Sequence, residues 1–261
     1  MTKMEQQQRS IEKTRLNPNG SKSAGEFLAF RNGKLDLRSI DRLEAERTAL
    51  NSAAADPLPG KNLPRVGVLA IQGNYASHSQ ALTEAGAEPV EVRKPEELAG
   101  LDGLILPGGE STTILKFLEK HRFFEALGDF CQHHPVFGTC AGAILLAREV
   151  RNPAQRSLRV LDVVVERNAY GRQIDSTILT AESALPGEPL EMVFIRAPRI
   201  VEIGAGVKVL ARRDGNPVLV QQGRIMAATF HPELSRDRRV HRLFVETVIG
   251  AVEQPAGARA Q

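Results

Sequence analysis

From Arg65 onward the chain alternates between brief apolar runs and stretches of helical periodicity. Val66-Gly67-Val68-Leu69-Ala70-Ile71 is a short continuous apolar run, the pattern of a parallel strand buried on both faces. A Gln72-Gly73-Asn74 turn follows, then a helix expected over 77–85 and closed by Gly86. Further strands are expected over 88–92, 104–106 and 135–137. Helices are expected after Ser111-Thr112-Thr113, which can cap one, and over 123–131 and 141–149. Such alternation implies a mostly parallel sheet with helices on both faces. The second half reads as shorter strands, over 159–166, 174–179, 192–195, 207–211, 218–222 and 225–230. A final helix is expected over 237–249.

Residues 1–64 have a different character, polar and ending in the Pro/Gly linker DPLPGKNLP. They are expected to be largely disordered, with one short amphipathic helix around 37–50 that needs a partner to be stable. They also hold the charge imbalance: 11 of the 34 Lys and Arg against 8 of the 31 Asp and Glu, leaving 23 of each sign in the rest. No basic stripe with interleaved aromatics is present, which argues against nucleic acid as a partner. No apolar run approaches the roughly 18 residues of a membrane span, and the first residues lack the apolar segment of a secretory signal. Two cysteines in 261 residues make no disulfide framework, and a reducing cytoplasm is the expected setting.

One of those cysteines stands in Gly138-Thr139-Cys140-Ala141-Gly142, between an expected strand and an expected helix. This is the cysteine form of the G-x-nucleophile-x-G elbow, whose glycines leave room for a strained turn. The position also aims the thiol at a helix N-terminus, where a negative charge is favoured. A free thiol is only a few per cent ionised at neutral pH, so a base is needed as well. Free cysteine is also often simply buried, and the pentapeptide alone leaves both readings open.

Phe230-His231-Pro232-Glu233 follows an apolar strand. In extended chain His231 and Glu233, two apart, point to the same side, so the carboxylate can hold one imidazole nitrogen and leave the other for a thiol. Leu106-Pro107-Gly108-Gly109-Glu110-Ser111 ends another strand, and its Gly-Gly turn can present backbone N–H groups to an oxyanion. A phosphate loop or a plain tight turn would look the same. All three pieces lie at strand carboxyl ends, where open α/β sheets place their ligands.

The order PGGEST, FGTCAG, FHPE resembles the triad-type glutamine amidotransferases. LILPGGESTTI, VVVERNAYGRQIDS and VFIRAPRI are similar, more narrowly, to the glutaminase subunits of pyridoxal 5′-phosphate synthase, over about residues 65–250. The resemblance implies a flavodoxin-like three-layer sandwich of the class I glutamine amidotransferase type, with 1–64 as an extension and 251–261 as a flexible tail. It implies hydrolysis of L-glutamine, with Cys140 as nucleophile, His231 as base and acid, and Glu233 as its orienter. The backbone N–H groups of Gly109 and Ala141 would form the oxyanion hole. Gly109, Glu110, Ser111, Arg167, Ile195 and Arg196 would hold glutamine. An arginine suits an α-carboxylate, although spacing alone would make Arg167 and Arg196 structural ion-pair partners. The ammonia would pass to a synthase subunit in a large hetero-oligomer. No cofactor is implied for this chain, pyridoxal phosphate included. The segment Gln72 to His78 departs from the family at Ser77, where an acidic residue is common.

Among the remaining candidates, Cys131 reads as core, His121 and His241 as exposed helix residues, and the adjacent His133 and His134 as poor metal geometry. No zinc or calcium spacing is present. The alternatives are an amidotransferase subunit for another ammonia acceptor and a catalytically silent module of the same fold.

Overall fold

The computed structural model describes residues 30–31, 34–35, 63–167 and 176–253. The chain divides into two units, Met1–Ala55 and Asp56–Gln261. In the first, strands β1 (Phe30–Arg31) and β2 (Lys34–Leu35) pair antiparallel. The expected helix at 37–50, most of the polar extension and the tail from 254 lie outside the described residues, as do 168–175 of the ERNAYGRQ segment.

The second unit is built on a seven-stranded sheet. Its strands are β3 (Arg65–Leu69), β4 (Glu88–Val92), β5 (Gly103–Leu106), β6 (Val136–Thr139), β12 (Lys208–Arg213), β13 (Asn216–Gln222) and β14 (Ile225–Ala228), in the spatial order β12-β13-β14-β6-β5-β3-β4. The five strands from β14 to β4 are parallel, and β12 and β13 add an antiparallel edge. Continuous apolar runs suit strands covered on both faces, and alternate side chains go to opposite sides. Leu104 and Leu106 of β5 enter one core while Ile105 enters the other; in β6, Val136 and Phe137 divide the same way.

On the first face lie α2 (Ser111–Lys120), α3 (Phe123–His133) and α4 (Ala141–Leu146), together with a small sheet. That sheet has the order β11-β8-β7, from Arg199–Ile203, Leu161–Glu166 and Ala147–Arg151. The opposite face is covered by α1 (Tyr75–Glu84), α5 (Arg239–Glu253) and the antiparallel ribbon of β9 (Ser176–Ala181) with β10 (Leu190–Ile195). Each long helix turns one stripe inward, as Phe123, Phe124, Leu127, Phe130 and Cys131 show in α3. This is the three-layer architecture with a mostly parallel central sheet that the alternation implies.

Three expectations are corrected. The helix expected over 141–149 stops at Leu146, because Ala147–Arg151 pairs in parallel with β8; tertiary pairing overrides the helical propensity of Ala147-Arg148-Glu149. The cap of α2 is Glu110, not the hydroxyl triplet: its carboxylate accepts from Thr112 N at 3.1 Å and from Thr113 N at 2.7 Å. The segment after β14 is not extended at His231 to Glu233, since Pro232–Leu234 winds into a single 3-10 turn.

Candidate active site

The register of the central strands sets three loops side by side. Leu106 pairs with Gly138 and Ala228 with Thr139, so β5, β6 and β14 end at one level. Residues 107–110, 140–142 and 229–233 leave the sheet from there.

Cys140 carries the strain of the elbow. Its φ is 49° and ψ −101°, in the positive-φ region that non-glycine residues rarely adopt. The conformation is held from outside: Cys140 N donates to Ala228 O at 2.8 Å, and all six residues of α4 behind it are buried. Its two glycines are required for space. A Cβ on Gly142 would stand 1.9 Å from Leu106 O, and one on Gly138 2.6 Å from the carbonyl carbon of Gly142. The helix that follows has only six residues, a short dipole, which leaves most of the activation of the thiol to a base.

A candidate base stands nearby. His231 and Cys140 both flank Gly108, and the sulfur acts electrostatically on the imidazole, whose Nδ1 lies 2.8 Å from Glu233 Oε1. His231 and Cys140 are 6% and 7% exposed, and Glu233 is wholly buried. Burial disfavours charge on His231, but the Glu233 carboxylate and the Cys140 sulfur outweigh it and lift the imidazole well above its ordinary range. Burial likewise pushes the Glu233 carboxyl up, and the facing imidazoles of His78 and His231 more than offset it, holding it at about 2. Cys131 provides the contrast: burial in α3 pushes its thiol up to about 12, as expected of an inert core cysteine.

The Gly108-Gly109 turn sits against this triad. A Cβ on Gly108 would lie 2.5 Å from His231 Cε1 and 3.4 Å from Cys140 Cβ. Gly109 has φ +147°, and beside it Glu110 N donates to Gln72 Oε1 at 3.3 Å. Gly73, at φ +87°, abuts the same turn, with no room for a Cβ before Gly108 O. Ile195, at the end of β10, has its carbonyl oxygen 3.9 Å from Cys140 Sγ. Arg196 follows it, exposed and with φ 42°.

The other candidates for substrate contact are engaged with protein. Ser111 is buried and its hydroxyl donates to Gln155 Oε1 at 2.9 Å. Glu110 caps α2, and Arg167 reaches it at 3.4 Å while donating to Thr112 Oγ1 at 2.8 Å. Arg167 thus stands beside the site in contact with Glu110 and Thr112. Among the described residues no group of three or more His, Cys, Asp or Glu could hold a metal ion, and no helix is long and apolar enough to cross a membrane.

Sequence reasoning missed two residues behind the triad. His241 is not exposed but wholly buried. It belongs to the inward stripe of α5 with Val240, Phe244, Val245 and Val248, and that periodicity is the signal that places it. His78 of α1 is also wholly buried; its Nδ1 lies 3.1 Å from His241 Nε2, and its Nε2 lies 3.1 Å from Thr139 Oγ1 and 3.3 Å from Glu233 Oε2.

Comparison with known proteins matches residues 68–250 to the SNO glutamine amidotransferase family. The chain is 59% identical over 184 residues to the pyridoxal 5′-phosphate synthase subunit PdxT of Koribacter versatilis (strain Ellin345), covering 70% of this chain and 95% of that protein. It is 54% identical over 190 residues to the PdxT subunit of Solibacter usitatus (strain Ellin6076), covering 70% and 98%. A crystal structure of a glutamine amidotransferase superposes with a TM-score of 0.65 at 47% identity, over 70% of this chain and 98% of that one.

Proposed function

The chain belongs to the SNO glutamine amidotransferase family, and from that premise we propose that it is the glutaminase subunit of a pyridoxal 5′-phosphate synthase. It hydrolyses L-glutamine to L-glutamate and ammonia, and the ammonia goes to a synthase subunit that builds the cofactor. The observation that carries this reading is the His231 imidazole, set between the Cys140 thiol and the Glu233 carboxylate at a strained strand-to-helix turn.

Cys140 gives its thiol proton to His231 as Sγ attacks the side-chain amide carbon of glutamine, and the carbonyl oxygen becomes an oxyanion. The N–H groups of Ala141 and Gly109 stabilise it; one such donor is worth about 3–4 kcal/mol in acyl transfer. His231 gives its proton to the amide nitrogen, the C–N bond breaks, and ammonia leaves a thioester on Cys140. Neutral His231 then takes a proton from water, whose oxygen attacks the thioester. Collapse of the second tetrahedral intermediate releases glutamate and returns the proton to sulfur. Glu233 fixes the tautomer and tilt of His231 throughout.

Gly109, Glu110, Ser111, Arg167, Ile195 and Arg196 surround the substrate. Because the Glu110 carboxylate and the Ser111 hydroxyl are committed to α2 and Gln155, their backbone groups are the parts left for glutamine. Residues 65–250 make up the glutaminase domain, flanked by the extension 1–64 and the segment 251–261, whose first three residues complete α5. The chain works in the cytoplasm, within a large hetero-oligomer with its synthase, and binds neither nucleic acid nor membrane.

The test is glutamate release from glutamine, with and without the cognate synthase, for the chain and for Cys140→Ala. Loss of turnover in the variant, with ammonia appearing in the cofactor only for the parent chain, is the expected result. Undiminished turnover in Cys140→Ala would remove the nucleophile and the reading with it.

A further inference from the structure

The second oxygen of the triad carboxylate has an environment the mechanism above does not use. Glu233 Oε1 faces His231, but Oε2 is buried and makes no hydrogen bond. His78 Nε2 lies 3.3 Å from it. Leaving a buried carboxylate oxygen uncompensated is costly, and the cost varies through the catalytic cycle. While His231 is an imidazolium, Glu233 has a cation against it. Once His231 has given its proton to the leaving amine, that cation is gone and the carboxylate stays buried.

The tautomer of His78 follows from its neighbours. Carboxylate Oε2 can only accept, so a lone pair on Nε2 would face it in repulsion. With the proton on Nε2, His78 directs an N–H into the space between Thr139 Oγ1 and Glu233 Oε2. Nδ1 is then an acceptor, filled by the Nε2–H of His241 at 3.1 Å. His241 Nδ1, which is buried and without a partner, carries no proton in this arrangement. The opposite tautomers would bury an unpaired N–H there. Burial keeps both rings neutral, lowering His78 and lowering His241 well below the ordinary imidazole range.

We propose that His78 is a positioning residue of the triad: its Nε2–H, oriented by His241, swings between Thr139 Oγ1 and Glu233 Oε2 and holds the carboxylate in place while His231 is neutral. The contact geometry suits such exchange, since the two acceptors are 3.1 and 3.3 Å from one nitrogen. It also joins three elements at the nucleophile, because Thr139 precedes Cys140, His78 lies on α1 and His241 on α5. The inference rests on the glutaminase reading of the same site.

Two polar substitutions separate positioning from filling. In His78→Asn the shorter amide overlies Nδ1, keeping the contact with His241 and withdrawing the N–H from Glu233. In His78→Gln the amide reaches the place of Nε2 and keeps an N–H near Glu233. Full-length variants are assayed for glutaminase turnover with the synthase present, and thermal unfolding is followed alongside. Asn is expected to lower kcat about 10-fold with KM within about twofold, well short of the roughly 10⁴-fold loss on removing a triad carboxylate. Gln is expected to stay within about threefold of the parent.

The acidic limb of the pH profile adds a readout that packing would not move. The groups facing Glu233 are His231 on its own loop, with Cys140 behind it, and His78 from α1. Behind His78 stand His241 of α5 and Arg238, which donates to Glu84 and to Ser235 O. Withdrawing the His78 N–H leaves burial less opposed, so Glu233 takes up its proton at higher pH and the acidic limb of the Asn variant moves toward neutrality. In a Glu233→Gln background the Asn substitution should add less than about a twofold loss, since its effect runs through the carboxylate.

The reverse order of the two variants, an unmoved acidic limb, or a full additional loss in the Glu233→Gln background would each overturn the proposal. If Cys140→Ala kept its activity, the glutaminase reading would fall first. If Cys140→Ala is inactive and His78→Asn behaves as the parent, only the role of His78 is refuted.

Discussion

Gly108→Ala isolates the geometry of the base from everything else in the site. Gly108 is not among the positive-φ glycines, so an alanine meets no backbone objection there. The objection is steric and specific: the new methyl would stand 2.5 Å from His231 Cε1 and 3.2 Å from its Nδ1. Carbon contacts settle at about 3.5–4.0 Å, so the ring must retreat by about 1 Å. It has no easy retreat, because Nδ1 is held by Glu233 at 2.8 Å and the His231 backbone N–H donates to Val193 O at 2.8 Å. A misplacement of about 1 Å costs on the order of 100-fold in rate, equivalent to about 2.7 kcal/mol of barrier. The assay is steady-state glutamate release with the synthase present, alongside thermal unfolding. A suitable control is Gly128→Ala, inside α3, where a Cβ would meet nothing within 4 Å; it should leave turnover alone and raise stability by about 0.5–1 kcal/mol. Gly108→Ala with kcat within about threefold of the parent and an unchanged unfolding temperature would refute the claim that His231 is held in one position.

Two further predictions concern protons. In Glu233→Gln the carboxylate that lifts His231 is lost while burial and the Cys140 sulfur remain, so the ring should titrate lower than in the parent, as read by histidine NMR. The parent's raised imidazole contributes stability fully present below 6.5 and lost as pH rises through its folded value; an alkaline loss of the same size in both proteins would contradict this. Glu110, held down from 4.5 to about 2 mainly by its hydrogen bond with the Thr113 side chain, should stabilise the start of α2 above pH 4.5 and cease to do so as pH falls toward 2. Glu110→Gln should therefore lower the urea midpoint at pH 7, by about 1 kcal/mol on the scale of helix caps, and progressively less at pH 3; a deficit independent of pH would argue against the charge.

The alternating pattern made the layers and most strands legible, because buried parallel strands write continuous apolar runs. In the second unit two strands escaped, for identifiable reasons. Ala147–Arg151 has helix-forming residues and becomes a strand only through its partner β8. Arg199–Ile203 follows Pro198, buries only Ile200 and pairs across a register shift. The proposed nucleophile, base and carboxylate stand in legible motifs, but strand periodicity is not what joins the last two. His231 and Glu233 meet through the 3-10 turn at Pro232, not through the two-residue period of a strand. The burial of His241 is legible from its helical stripe, but its pairing with His78 is beyond local reading, since a lone histidine gains meaning only from the residues opposite it in space. The two are 163 positions apart and 3.1 Å distant.

The glycines of the elbow supply room, as their motif implies, and not a left-handed backbone. In the elbow neither Gly138 nor Gly142 takes a positive φ; the strained residue is Cys140 itself. What the glycines permit is contact between loops. Gly142 lies against Leu106 O of the neighbouring strand, Gly73 against Gly108 O, and Gly108 against the ring of His231. The loops after β3, β5, β6 and β14 thus rest on one another backbone to backbone, at a level set by strand register. A Cβ at one of these points would displace a neighbouring loop or its base before it disturbed its own turn. Substitutions there should therefore couple with one another, and the triad's distances depend on four separate loops arriving at the same height above the sheet.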